Sequence, residues 1–121
     1  MKTSDLTDFM LDYYTAVAVY GDGVKVIDGY IRPPFEYPGW SDGAEYSPST
    51  DWKLGGALMD KYDIEIRRLP PHGYAAEFWI DLPGGDAAVF RGMGSSRLIA
   101  ITRAIVRSKF GDEVPDEIPR S

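Results

Sequence analysis

The stretch Asp63-Ile64-Glu65-Ile66-Arg67-Arg68-Leu69-Pro70-Pro71-His72-Gly73-Tyr74-Ala75-Ala76-Glu77-Phe78-Trp79-Ile80-Asp81-Leu82-Pro83-Gly84-Gly85-Asp86-Ala87-Ala88-Val89-Phe90-Arg91 decides the fold. Residues 63–69 alternate polar and apolar and stop at Pro70-Pro71, the pattern of a strand with one wet face. From Tyr74 to Leu82, Ala76, Phe78 and Ile80 oppose Glu77, Trp79 and Asp81, which predicts a second strand. Pro83-Gly84-Gly85-Asp86 supplies a turn, and residues 87–91 return as a third strand antiparallel to the second.

Downstream, the spacing predicts a helix from Ser95 or Ser96 to Lys109. Leu98, Ile101 and Ile105, widened by Ile99 and Val106, form its apolar stripe, and Arg103 and Arg107 fall on the opposite, solvated side. Gly111 is placed to end it, so residues 1–111 are expected as one domain and residues 112–121 as a loose acidic tail. Upstream, Leu6, Met10, Tyr13, Val17 and Tyr20 recur at helical spacing over residues 7–20, with Thr7 able to cap and Gly21 to terminate. Residues 24–28 read as a short strand closed by Gly29. Residues 30–50, with Pro33, Pro34, Pro38, Gly39, Gly43 and Pro48, are expected as a long loop, whose Phe35, Tyr37, Trp40 and Tyr46 either pack over the core or meet a partner. Ser47-Pro48-Ser49-Thr50-Asp51 then offers capping oxygens to a helix over residues 52–62, weakened by Gly55-Gly56. Together the elements predict an α+β fold: an antiparallel sheet of three to four strands packed with two or three helices, an α/β sandwich.

Composition narrows the function classes. In 121 residues, 44% apolar and 13% aromatic side chains are enough for one core and too many for disorder. With no cysteine there is no disulfide, no thiolate metal site and no cysteine nucleophile. No run reaches the ~18 apolar residues of a membrane span, and no membrane partner is expected. The net charge of −6 disfavours general nucleic-acid binding. It is unevenly placed: residues 1–60 hold four Lys/Arg against ten Asp/Glu, residues 61–121 nine of each. An unbroken basic stretch, Arg91, Arg97, Arg103, Arg107 and Lys109, precedes the acidic tail.

Four groupings could carry chemistry. Gly92-Met93-Gly94-Ser95-Ser96-Arg97 opens a helix with glycines, hydroxyls and an arginine, and could hold a phosphate on free N–H groups; a plain strand-to-helix turn with a serine cap explains the same residues. Ser47 to Trp52 collects hydroxyls and a carboxylate, but nucleophilic catalysis needs an oriented base, and the sole histidine, His72, sits in Pro70-Pro71-His72-Gly73, read as an exposed turn, so capping is the better reading. Glu77, Asp81 and Asp86 lack calcium-loop spacing and read as solvated strand-end carboxylates, so no metal and no cofactor are expected. Trp40, Trp52 and Trp79 read as partly buried anchors, except that Trp79, opposed to Phe78, would stand exposed if no helix covered the second sheet face.

Lys2-Thr3-Ser4-Asp5-Leu6, then Tyr46-Ser47-Pro48-Ser49-Thr50-Asp51-Trp52-Lys53-Leu54-Gly55-Gly56, then Ile105-Val106-Arg107-Ser108-Lys109-Phe110-Gly111-Asp112-Glu113-Val114 resemble the NinX family of small proteins of tailed bacteriophages and prophages. Gly56 departs from that pattern in being followed by Ala57-Leu58 rather than proline. The resemblance implies phage origin and carries no catalytic residue or cofactor onto this chain.

The expectation is therefore a phage accessory protein, not an enzyme, acting in the cytoplasm of the infected bacterium by binding a host or phage protein. Its candidate binding residues are Trp40, Tyr46, Asp51, Trp52, Trp79, Gly94, Ser95 and Arg97. Two alternatives stay open: an acidic mimic of nucleic acid that occupies a host defence or DNA-processing protein, and a binder or minor enzyme for a small anion at the Gly92–Arg97 turn. A homo-oligomer also stays open.

Overall fold

The computed structural model describes residues 1–34 and 45–118. Its elements are α1 (Asp8–Tyr20), β1 (Lys25–Ile27), β2 (Tyr30–Arg32), α2 (Trp52–Tyr62), β3 (Glu65–Arg68), β4 (Tyr74–Asp81), β5 (Ala87–Gly94) and α3 (Arg97–Phe110). Strands β3, β4 and β5 form one antiparallel sheet in that order, and β1 pairs with β2 in a separate hairpin. The fold is α+β, as the pattern predicts.

Helix α3 is the centre of the molecule. Its N-terminus is capped by Ser96, whose Oγ accepts a hydrogen bond from the Ile99 N–H (3.1 Å), and Gly111, with φ 77°, closes its far end. Its apolar residues Leu98, Ile101 and Ile105 meet Ala76 and Phe78 of β4, with Phe90 of β5 packed against the same cluster. Register pairs Phe78 with Phe90, so both rings lie on the sheet face that α3 covers. Two glycines set how closely the layers approach. A Cβ on Gly92 would overlap the backbone of Ala100 and Ala104, and one on Gly55 would overlap Leu98 and the Pro48 carbonyl. Gly55 thus lowers the intrinsic helicity of α2 while letting α2 press against α3.

Four expectations change. Residues 30–32 are not loop: Asp28 (φ 52°) and Gly29 (φ 80°) form a tight two-residue turn that returns the chain as β2, pairing Val26 with Ile31. Strand β5 continues three residues beyond Arg91, because Gly92 and Gly94 let α3 back it. Thr7 precedes α1 without a side-chain cap bond. Residues 112–118 follow a defined path instead of hanging as a loose tail: Thr3 N–H donates to Asp112 O (2.8 Å), Val114 N–H to Met1 O (2.9 Å), and the Tyr14 hydroxyl to Pro115 O (2.9 Å), with Val114 buried. That path meets α1 at Tyr14, within a run of buried residues from Leu11 to Ala16 that is wider than a single stripe. Residues 35–44, with Trp40, Phe35 and Tyr37, and residues 119–121 lie outside the described residues.

Candidate binding surfaces

Three surfaces gather the side chains that could act. The first is the outer face of the β3–β5 sheet. Because strand side chains alternate, the register that turns Phe78 and Phe90 inward turns Trp79 and its partner Val89 outward, with Glu77 opposite Arg91 and Ala75 opposite Met93. Trp79 is 46%, Val89 51% and Met93 54% exposed, whereas Phe78 is 1% exposed. Arg91 crosses this face to Glu77, donating from Nε (3.0 Å) and Nη2 (2.7 Å) to one carboxylate oxygen. Trp79 therefore takes the exposed alternative, not the partly buried one.

The second surface is a shallow groove of about 460 Å³ between the starts of α2 and α3, lined by Thr50, Trp52, Tyr74, Ser95 and Arg97 among others. It brings together residues far apart in sequence. Trp52 is half exposed, and the Arg97 guanidinium lies 4.6 Å from the centre of the Tyr74 ring, a cation–π contact. Asp51 and Ser96 are caps: Asp51 Oδ1 accepts from Lys53 N–H (2.9 Å) and Ser96 from Ile99, so one free donor of each helix start is already taken. The capping reading of Ser47 to Trp52 holds, and Ser96 rather than Ser95 does the work at α3. Gly94 ends β5 pressed against Ile99. Tyr46 belongs to none of these surfaces; it is buried, its ring edge-on to Tyr20 at 6.0 Å.

The third surface was invisible in the helical pattern. Arg103 does not lie on a solvated side of α3: it reaches over the free edge of β5 to donate from Nε (3.1 Å) and Nη2 (2.9 Å) to Leu6 O, and from Nη1 (2.8 Å) to Met93 O. Arg107 does the same more loosely, with Nη1 3.4 Å from Arg91 O and Nη2 2.6 Å from the Asp112 carboxylate. Between these arginines, the chain's beginning and the segment after α3 lies a cleft of about 310 Å³. The signal that could have found it was the three- and four-residue spacing of Gly92-facing Ala100 and Ala104 around Arg103 and Arg107, which turns the basic flank of α3 toward β5.

A buried carboxylate also went unread. Asp12 of α1, 6% exposed, accepts from the Ser49 N–H (2.8 Å) and so ties α1 to the segment leading into α2. Burial raises its pKa to about 6, against the opposing pull of Ser49 and with help from the charges of Glu45 and Asp8. Asp12 is thereby withdrawn from any acidic outer face in residues 1–60. Among the described residues no three His, Asp or Glu side chains converge as a metal site, and His72 is exposed beside the Pro70–Pro71 turn.

Fold and surfaces define a small α+β protein whose central helix closes one face of a three-stranded sheet, with Trp79, Val89 and Met93 exposed on the other. The chain belongs to the family described as Bacteriophage P22, NinX, whose model matches residues 2–109, and is thus a phage-type accessory protein. No curated protein matches it. Among the described residues no helix is long and apolar enough to cross a membrane.

Proposed function

We propose that this phage protein acts by binding a protein of the host or the phage, in the host cytoplasm, through the open face of the β3–β5 sheet. The observation that carries the reading is the outward row Trp79, Val89 and Met93, each about half exposed on a rigid sheet whose opposite face is closed. Aromatic and methionine side chains are residue types enriched at protein interfaces, as is arginine, and the Arg91–Glu77 pair lies between Trp79–Val89 and Met93 on this face. Tryptophan truncation at the centre of such an interface removes about 2 kcal/mol or more of binding free energy.

The test compares affinity purifications of the wild-type chain and of a Trp79→Glu/Val89→Glu variant from infected cells, after circular dichroism has established that both are folded. The expected result is a protein captured reproducibly by the wild type and lost with the variant. Capture that is indifferent to both substitutions removes the sheet face from the reading.

A further inference from the structure

The cleft beside β5 has features that a purely structural role for its arginines leaves unexplained. Arg103 is half-buried, and among the described residues no carboxylate forms an ion pair with it. A charge withdrawn from water is ordinarily paired. Here three of the five N–H donors of the guanidinium are engaged by the Leu6 and Met93 carbonyls, which hold the group in a fixed plane and leave two donors over. Burial lowers its pKa, with the charge of Asp5 opposing.

The strand edge adds donors of its own. Leu82 N–H donates to Asp86 O (2.8 Å) across the hairpin, so with Phe78 opposite Phe90 the even-numbered residues of β5 bond to β4. Val89, Arg91 and Met93 consequently point their N–H and C=O groups out of the sheet. The carbonyls of Arg91 and Met93 are taken by Arg107 and Arg103, which leaves this edge rich in donors and poor in acceptors. The same bonds oppose pairing with another strand, which would need those carbonyls. Lys2 and Arg107 flank the cleft; of its carboxylates, Asp112 pairs with Arg107, and Glu113 sits where its backbone bridges Lys2. A donor-rich, cationic cleft on a chain of net charge −6 is complementary to one kind of group.

We propose that the cleft between β5, the chain's beginning and the segment after α3 binds the oxyanion, phosphate or carboxylate, of a small molecule, with Arg103 as its fixed anchor and Lys2 and Arg107 at its mouth. This site adjoins the sheet face proposed for the protein partner, sharing Arg91 and Met93 at the β5 edge, and includes neither Trp79 nor Val89. It shares no lining residue with the groove at the starts of α2 and α3, where Asp51 and Ser96 each already hold a backbone N–H.

The test is a titration of the isotope-labelled full chain with sodium phosphate and, in parallel, sodium acetate, each against sodium chloride at equal ionic strength, followed at the Arg103 Nε–H and the Ser4 and Met93 amides by NMR. Saturable shifts with phosphate, acetate or both, absent with chloride, are expected, and the anion that saturates at lower concentration tells a tetrahedral from a planar ligand. Arg103→Lys is expected to weaken that binding at least about tenfold, since it keeps the charge and loses the planar fork. Arg107→Gln and Lys2→Gln are each expected to weaken it about threefold, the scale of one screened charge. Shifts that are absent, non-saturating or equal with chloride overturn the proposal, as does undiminished affinity in folded Arg103→Lys. Should Arg103→Lys fail to fold, undiminished affinity in both Arg107→Gln and Lys2→Gln overturns it instead.

Discussion

Neighbouring residues of one strand, Phe78 and Trp79, have opposite fates. Phe78 is sealed under α3 among Ala76, Phe90 and Ile101, while Trp79, one residue on, stands in water opposite Val89. The two faces of the sheet differ in composition and in what folding does with it: the inner face, with Ile66, Ala76, Phe78 and Phe90, is consumed by the core, whereas the outer face sets Trp79, Val89 and Met93 among Glu65, Arg67, Glu77 and Arg91. In a domain this small there is only enough helix to cover one side.

The comparison breaks most sharply on truncation. Phe78→Ala is expected to cost about 3–5 kcal/mol, lost transfer energy plus a cavity that the close-packed helix cannot collapse. Chemical denaturation measures it, and a loss below about 1 kcal/mol would mean that α3 does not seal the inner face. A similar contrast holds for charge. Asp12 carries a folded-state pKa of about 6 against an ordinary 3.8, so the folded chain binds a proton more tightly than the unfolded one. Stability is therefore greatest below pH 4, falls as pH rises from about 4 to 6, and is flat above, by up to about 3 kcal/mol from this group. Asp12→Asn, which keeps an acceptor for Ser49 N–H, is expected to raise stability at pH 7 by about 1–3 kcal/mol, to leave it unchanged at pH 4 and to flatten that slope; denaturation midpoints at the two pH values check it.

Smaller effects test the borders between inside and outside. Ser96→Ala, which removes the α3 cap, is expected to cost about 1 kcal/mol by thermal or urea unfolding. Outside, Trp79→Ala should change stability by no more than about 0.5–1 kcal/mol. If Trp79→Ala cost as much as Phe78→Ala, the outer face would not be open.

Local grammar was readable wherever neighbouring residues decide the outcome. The bounds of α2, the β4–β5 hairpin, the Gly21 and Gly111 stops and the alternation separating Phe78 from Trp79 follow from periodicity, turn residues and caps. Contacts across long stretches of chain were not readable. Arg103 looked solvated because a helical wheel shows which flank a residue occupies but not that β5 and Leu6 lie against that flank. Asp12 looked like an ordinary polar residue of α1 because its burial depends on Ser49, and the path of residues 112–118 depends on the chain's first residues. Strand β2 was missed for a different reason: Asp28-Gly29 is a hairpin signal, but the prolines after Arg32 drew residues 30–32 into the reading of a loop. Of the proposed binding residues, Trp52, Ser95 and Arg97 do share one groove, Asp51 caps α2, Trp79 stands on another surface, and Tyr46 is in the core.

The bare backbone of Gly92 against Ala100 and Ala104 has a mechanical consequence. With no side chain between them, strand and helix are keyed like a tooth in a notch, and neither can shift by a residue without driving atoms into each other. The β5 amides that bond to β4, those of Phe90 and Gly92 among them, and the amides of α3 should therefore gain and lose hydrogen-exchange protection as one unit, the last part of the molecule to open.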